Sequence, residues 1–294
     1  VAGLYHDPPE MNIRRATSGL IYVLSGAIGV LAFAYPFFLA GQANGAIGIA
    51  HGQDAALVTT ALVGLSLVAL LVELQGQAIS AKTVAVLGVM VATTSVLRFI
   101  EVAIPMPGGF SPIFAPIILS SYVFGGRFGF LMGTFTLLVS ALITGGVGPW
   151  LPYQMFTAGW IGMTAGWLSR FSFSVLCFRS RGSDNTQHTT RIGLLTVPVL
   201  SLFGFAWGLL YGVIINLYFW PFAMGPVEQV WTPGLGLREI LVRYATFYAA
   251  TSLGWDLIRA LGNAALILLL GAPMVRALAR FQRRFHHEVR PANA

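Results

Sequence analysis

Long, almost unbroken apolar runs dictate what this chain can fold into. They fall at about 17–40, 55–74, 83–104, 112–125, 128–145, 153–169, 192–222 and 244–272. A hydrocarbon layer of about 30 Å needs ~20 apolar residues per helical span. Only helices or closed barrels satisfy their backbone there, and continuous rather than alternating runs select helices. The expected fold is an all-α membrane protein of about eight transmembrane helices. Composition agrees: 56% of the residues are hydrophobic and 9% charged, with a mean hydropathy of +0.77, whereas soluble domains carry roughly a quarter charged residues. The run 112–125 is short for a full span and reads as tilted or partly re-entrant. The run 192–222 is long and reads as ending in an interfacial stretch at Phe219-Trp220-Pro221-Phe222. The run 17–40 is too long for a signal-peptide core and reads as a retained helix.

Charge sets the orientation. A net charge of +7 could suggest nucleic acid, but the basic residues lie between apolar runs, where they report topology instead. Arg14, Arg15, Lys82, Arg127, Arg170, Arg179, Arg181, Arg191, Arg276, Arg280, Arg283, Arg284 and Arg290 fall on one set of helix ends, 13 of 17 basic residues. That side is expected to be cytoplasmic, which puts both termini in the cytoplasm. The other side carries Arg238 and Arg243, accompanied by Glu228 and Glu239. Residues 178–191 read as a polar linker, and the basic tail 276–294 as a helix continuing past the membrane and anchoring on anionic lipid.

Motifs of soluble enzymes are absent. The chain has no G-x-x-x-x-G-K-[ST] phosphate loop and no H-E-x-x-H. The single cysteine, Cys177, excludes an internal disulfide framework and a multi-cysteine metal site. No metal and no cofactor is expected. The informative residues are charges inside apolar runs, because such groups persist only when paired or facing a cavity. Arg98 and Glu101 are three apart and share a helix face, as do Asp256 and Arg259, with Asn263 one turn on. Each pair can simply neutralise itself between helices, or it can line a site. Asn216, also in an apolar run, suits an interhelical hydrogen bond as well as a ligand.

Two further features stand out. Gly148-Pro149-Trp150-Leu151-Pro152-Tyr153-Gln154-Met155 combines loop-forming residues with aromatics and a polar side chain one turn into a helix. It suits a loop closing over a ligand as well as an interfacial aromatic belt. Ala81, Ala85, Gly88 and Ala92 place small residues about one helical turn apart, which lets helices approach closely in lipid.

Taken together, these segments resemble the substrate-binding S components of energy-coupling factor (ECF) vitamin transporters, from about residue 79 to 284. The resemblance rests on Ser111-Pro112-Ile113-Phe114-Ala115-Pro116, on Tyr122-Val123-Phe124-Gly125-Gly126-Arg127-Phe128-Gly129-Phe130, and on Gly148-Pro149-Trp150 with Tyr153-Gln154-Met155. It extends through Leu217-Tyr218-Phe219-Trp220-Pro221-Phe222 and Ser252-Leu253-Gly254-Trp255-Asp256-Leu257-Ile258-Arg259-Ala260. It implies a six-helix bundle over 79–275, followed by the tail 276–294; the additional two-helix hairpin within 1–78 departs from the family, whose members usually lack it. It also implies a ligand pocket opening outward under 102–112 and 145–152, and small-residue docking of Ala81, Ala85, Gly88 and Ala92 on a T component. Separate P-loop ATPase subunits would supply the energy, so this chain would perform no covalent chemistry.

The expected ligand set is Arg98, Glu101, Trp150, Tyr153, Gln154, Asn216, Trp220 and Asp256. A vitamin-like small molecule is the implied substrate, with cobalamin or a related corrinoid as the first guess and riboflavin, thiamine, a queuosine precursor or a lipid-like ligand as alternatives. Two other roles compete: a structural subunit of a larger membrane assembly, suggested by the additional hairpin, and an intramembrane enzyme acting on lipids. The second lacks a neighbouring carboxylate to complete an acid/base or metal site.

Overall fold

The computed structural model describes residues 9–40, 81–104, 109–179 and 185–286, with isolated positions between 60 and 68. The expected span 55–74 lies almost wholly outside the described residues. The helices are α1 (Pro9–Ala40), α2 (Ala81–Ala103), α3 (Phe114–Phe124), α4 (Gly126–Thr144), α5 (Leu151–Arg179), α6 (Asn185–Phe219), α7 (Leu237–Thr251) and α8 (Leu253–His286). A 3-10 turn, Trp220–Phe222, closes α6 where an interfacial stretch was expected. Among the described residues there is no strand. Lys82–Ala103, Gly126–Thr144, Thr196–Phe222 and Leu253–Gln282 are each long and apolar enough to cross a membrane. The chain is thus an all-α, multi-pass membrane protein.

Helices α4 and α5 make the closest contact. Gly126, Gly129 and Gly133 on α4 have the same spacing as Gly159, Gly162 and Gly166 on α5. The antiparallel helices bring these rows together backbone to backbone. A methyl group added at Gly162 would land on the Gly129 carbonyl, one at Gly166 on the Gly126 amide, and one at Gly133 on the Ala158 carbonyl. Without side chains between them, the two backbones gain dispersion contact that lipid cannot replace. The pair α6 and α8 closes similarly at Gly208, whose added methyl would strike Ala260.

Helix α3 lies at the centre. Its 11 residues are too few to span alone, and they are apolar on every side because other helices surround them. Ile117, Ile118 and Leu119 are fully buried. The start of α3 has no side-chain cap from its own sequence. Asn263 of α8 takes that part: its Oδ1 accepts from the Ala115 amide at 3.2 Å, and its Nδ2 donates to the Ser111 carbonyl at 3.1 Å. Orphan backbone groups at a helix end are costly inside a membrane protein, so a distant amide satisfies them. Ser95 donates to the Thr136 carbonyl and Ser201 to the Ala264 carbonyl, at 3.3 and 3.0 Å, pinning α2 to α4 and α6 to α8.

Two expectations change. The run 244–272 is not one helix, for it bends at Ser252 between α7 and α8. The ladder still passes through the bend, since the Ser252 amide donates to Tyr248 and the Asp256 amide to Ser252. Asn216 donates to the Ser252 hydroxyl at 2.8 Å, which fixes the bend against α6. The second change concerns the linker 178–191. The flanking helices reach Arg179 and begin at Asn185, so both ends of that stretch are helical, and 180–184 lie outside the described residues. At the other end, α8 continues through Arg276 and Arg280 to His286, and Gln282 donates to the Val123 carbonyl at 3.0 Å.

Helix α1 packs along the seam between α5 and α6. Its Ser25, Ala32 and Phe33 are buried while Val23, Val30 and Leu31 are exposed, the spacing of a single buried stripe. Gly29 permits the approach: an added methyl would sit 2.8 Å from both Phe156 Cδ1 and Trp160 Cζ2 of α5.

Candidate functional site

Five of the expected ligand residues, Arg98, Glu101, Asp256, Tyr153 and Trp220, gather at one end of the bundle, in two neighbouring clusters. The first is polar. Arg98 and Glu101 of α2 form an ion pair, and the Ser111 hydroxyl donates to the other Glu101 oxygen at 2.8 Å. Across from them, Asp256 and Arg259 of α8 form a second pair. Asp256 sits in the first turn of α8, where the helix dipole favours its negative charge. Its residue is 2% exposed, and its carboxylate lies directly against Gly212, where a methyl would have no room. The Arg259 guanidinium stands 5.3 Å from the ring centre of Tyr211, and Tyr211 in turn packs on Phe114 at 4.7 Å.

These contacts link the pairs to one another. Arg98, Arg259, Glu101 and Asp256 all lie within electrostatic reach of the buried Tyr211, and Arg259 reaches Glu101 as well. Two cations and two anions balance, as a membrane interior demands. Asn263 ties this cluster to α3 through Ser111, and it also donates to the Arg259 carbonyl at 2.9 Å. Ser111, Tyr211, Arg259 and Asn263 were absent from the expected ligand set. Ser111 and Arg259 lay within the quoted motifs and Asn263 beside the charged pair. Nothing in the local sequence marked Tyr211.

The second cluster is aromatic. Tyr153 of α5 stacks on Tyr218 of α6, with ring centres 4.5 Å apart and an interplanar angle of 19°. Trp220 meets Tyr244 of α7 edge-on at 4.9 Å and donates its ring N–H to the Gln229 carbonyl at 2.8 Å. Tyr153 and Trp220 are each 1% exposed. Phe33 and Phe37 of α1 complete the cluster. Phe33 lies 5.0 Å from Tyr153, and Phe37 lies 6.0 Å from Trp220 and 5.7 Å from Trp231. Asn216 stands between the clusters on α6, engaged with Ser252.

Trp150 is placed differently from the rest. It is 41% exposed, folds over Gly148 of its own loop and donates to the Gly146 carbonyl at 3.2 Å. Gln154 is half-buried beside Tyr153. An apolar groove of about 470 Å³ lies elsewhere, on the flank of α8 between Phe110 and Leu269, and none of the expected ligand residues lines it. On α2, Ala85, Gly88 and Ala92 are exposed, with nothing within 4 Å of a methyl added at Gly88. The side chain of Ala81 lies outside the described residues.

Chemically, the arrangement suits binding. A ligand site combines aromatic, apolar walls with a few oriented polar groups, and both are present at this end. Residues 82–271 match the family model described as the ECF transporter, substrate-specific component. No curated protein and no solved structure matches the chain.

Proposed function

The chain belongs to the family of ECF transporter substrate-specific components, and from that premise we propose that it captures a vitamin-like molecule, a corrinoid first among the candidates, at the end of the bundle that holds both clusters. Substrate binding by a subunit of an ECF importer is the activity of the family, and it requires no covalent step in this chain. By the positive-inside distribution, the end bearing Glu101, Tyr153 and Trp220 faces outward. The ligand would be taken up there and released on the cytoplasmic side with a T component and P-loop ATPase subunits. Membrane lipid surrounds the rest.

The match over 82–271 carries this reading. The juxtaposition of a charge-balanced cluster and an aromatic cluster supports the location. Bulky conjugated ligands bury large areas against rings, at roughly 25 cal/mol per Å². The Arg98–Glu101 and Asp256–Arg259 pairs offer both signs of charge to amide or carboxylate groups on such a ligand.

The test has two parts. The full chain, expressed with T and ATPase subunits, is purified and the subunits that accompany it are identified. Cyanocobalamin, riboflavin and thiamine are then titrated against the wild type and Glu101→Gln. Recovery of the complex and saturable binding that weakens about tenfold in Glu101→Gln are the expected results. A folded chain that recovers neither subunit and binds none of the vitamins would overturn the proposal.

A further inference from the structure

Helix α1 lies outside the segment that the family model matches, yet it reaches into the aromatic cluster. The bundle shows why it can. The tightest helix pairs are α4 with α5 and α6 with α8, and the seam between α5 and α6 is less closely packed. Helix α1 covers that seam. Gly29 lets it approach Phe156 and Trp160, and one turn on, Phe33 stands at 5.0 Å from Tyr153 and 5.9 Å from Trp160. One further turn on, Phe37 reaches Trp220 and Trp231. The spacing of 29, 33 and 37 keeps these residues on one face of the helix.

We propose that α1 forms a wall of the ligand site, with Phe33 and Phe37 setting how large a ligand the site admits. The inference rests on the reading that Tyr153 and Trp220 face the ligand. Both rings are 1% exposed with α1 in place. A ligand that stacks on either must therefore share the space with Phe33 and Phe37 or displace them. Rings joined by edge and stacking contacts can slide and rotate at small cost, since each such pair contributes only about 0.5–1.5 kcal/mol beyond area burial. The binding unit would then comprise the family domain and its N-terminal helix together. Trimming the wall would enlarge the site and wet it.

The experiment uses the full chain in nanodiscs. Quenching of tryptophan fluorescence by aqueous iodide reads the wall without reference to any ligand, because three tryptophans, Trp160, Trp220 and Trp231, touch Phe33 or Phe37. Phe33→Ala/Phe37→Ala should raise the quenching constant roughly twofold. Phe37→Ala alone, at a half-buried position, should raise it less and serves if the double variant does not fold. Unchanged quenching in a folded Phe37→Ala protein would overturn the inference. Cyanocobalamin binding is measured alongside. A change of threefold or more in affinity or on-rate supports the wall as part of the site. A rise in quenching with no cyanocobalamin binding by wild type or variant keeps the wall and counts against the corrinoid reading instead. Binding that is identical in wild type and a variant with raised quenching would remove α1 from the ligand site.

Discussion

Two rows of small residues in this molecule meet opposite fates. On α4 and α5, Gly126, Gly129 and Gly133 close against Gly159, Gly162 and Gly166, leaving no space for a methyl at the contacts. On α2, Ala85, Gly88 and Ala92 face outward, and a methyl at Gly88 meets nothing. The residue chemistry is alike, and both rows suit close helix approach in lipid. The difference is the partner. The first row finds its complement in the same chain, across one short turn at 145–150. The second has no complementary row among the described residues. Within a family whose members work with a T component, the open row on α2 is the natural candidate for a contact between subunits, and the closed row is a fixture of the fold.

The strongest challenge to this contrast is Gly162→Val. Its first added carbon would fall on the Gly129 carbonyl, and both sides of the contact are backbone, which cannot rotate away. Overpacking commonly costs about 1–3 kcal/mol, occasionally more, and this substitution belongs at or beyond the upper end. Loss of monodisperse protein on detergent size-exclusion chromatography is the expected outcome. A well-folded Gly162→Val protein with wild-type Tm would show that the seam is not close-packed.

A milder pair sharpens the contrast with one substitution type. Gly133→Ala places a methyl against the Ala158 carbonyl and should destabilise by about 1–3 kcal/mol. Gly88→Ala meets open space and should instead stabilise the isolated chain by up to about 1 kcal/mol, because Ala favours helix over Gly. Thermal unfolding in the same detergent should move Tm in opposite directions. Shifts of equal sign would dissolve the distinction between the rows.

The contrast also shows what was legible in the sequence. Hydropathy exposed the apolar helices, since the membrane imposes length and composition directly. The ion pairs Arg98–Glu101 and Asp256–Arg259 were legible because partners three apart share a helix face. The twin glycine spacing was equally present in the sequence but carried no indication that it was the closed one. A spacing states that approach is possible, and only the fold states with what. The bend at Ser252 depends on Asn216, and the cap on α3 depends on Asn263, both far away in sequence. Local propensity cannot register such bonds. The same reason hid Tyr211, which is marked only by the groups around it, and the arrival of α1 at Tyr153 and Trp220.

The smallest expected effect on the isolated chain is the most informative about function. Ala85→Leu and Ala92→Leu add volume to an exposed face of α2. Exposed substitutions away from special features usually alter stability by less than about 0.5 kcal/mol, and Leu is nearly as good a helix former as Ala. Each variant should therefore match the wild type in Tm and in elution when purified alone. With a T component present, the added isobutyl groups would hold two backbones apart, and close packing in lipid has no hydrophobic drive to offset the lost contacts. Recovery of the complex on an affinity-tagged T component should fall severalfold for either variant and further for both together. Lys82, exposed at the start of the same helix, supplies the control, since Lys82→Gln leaves the small-residue row intact. If both leucine variants recover the T component as well as Lys82→Gln does, the open row is not the docking surface. If they unfold the isolated chain instead, the row is closed within the protein, and its contrast with the glycine seam disappears.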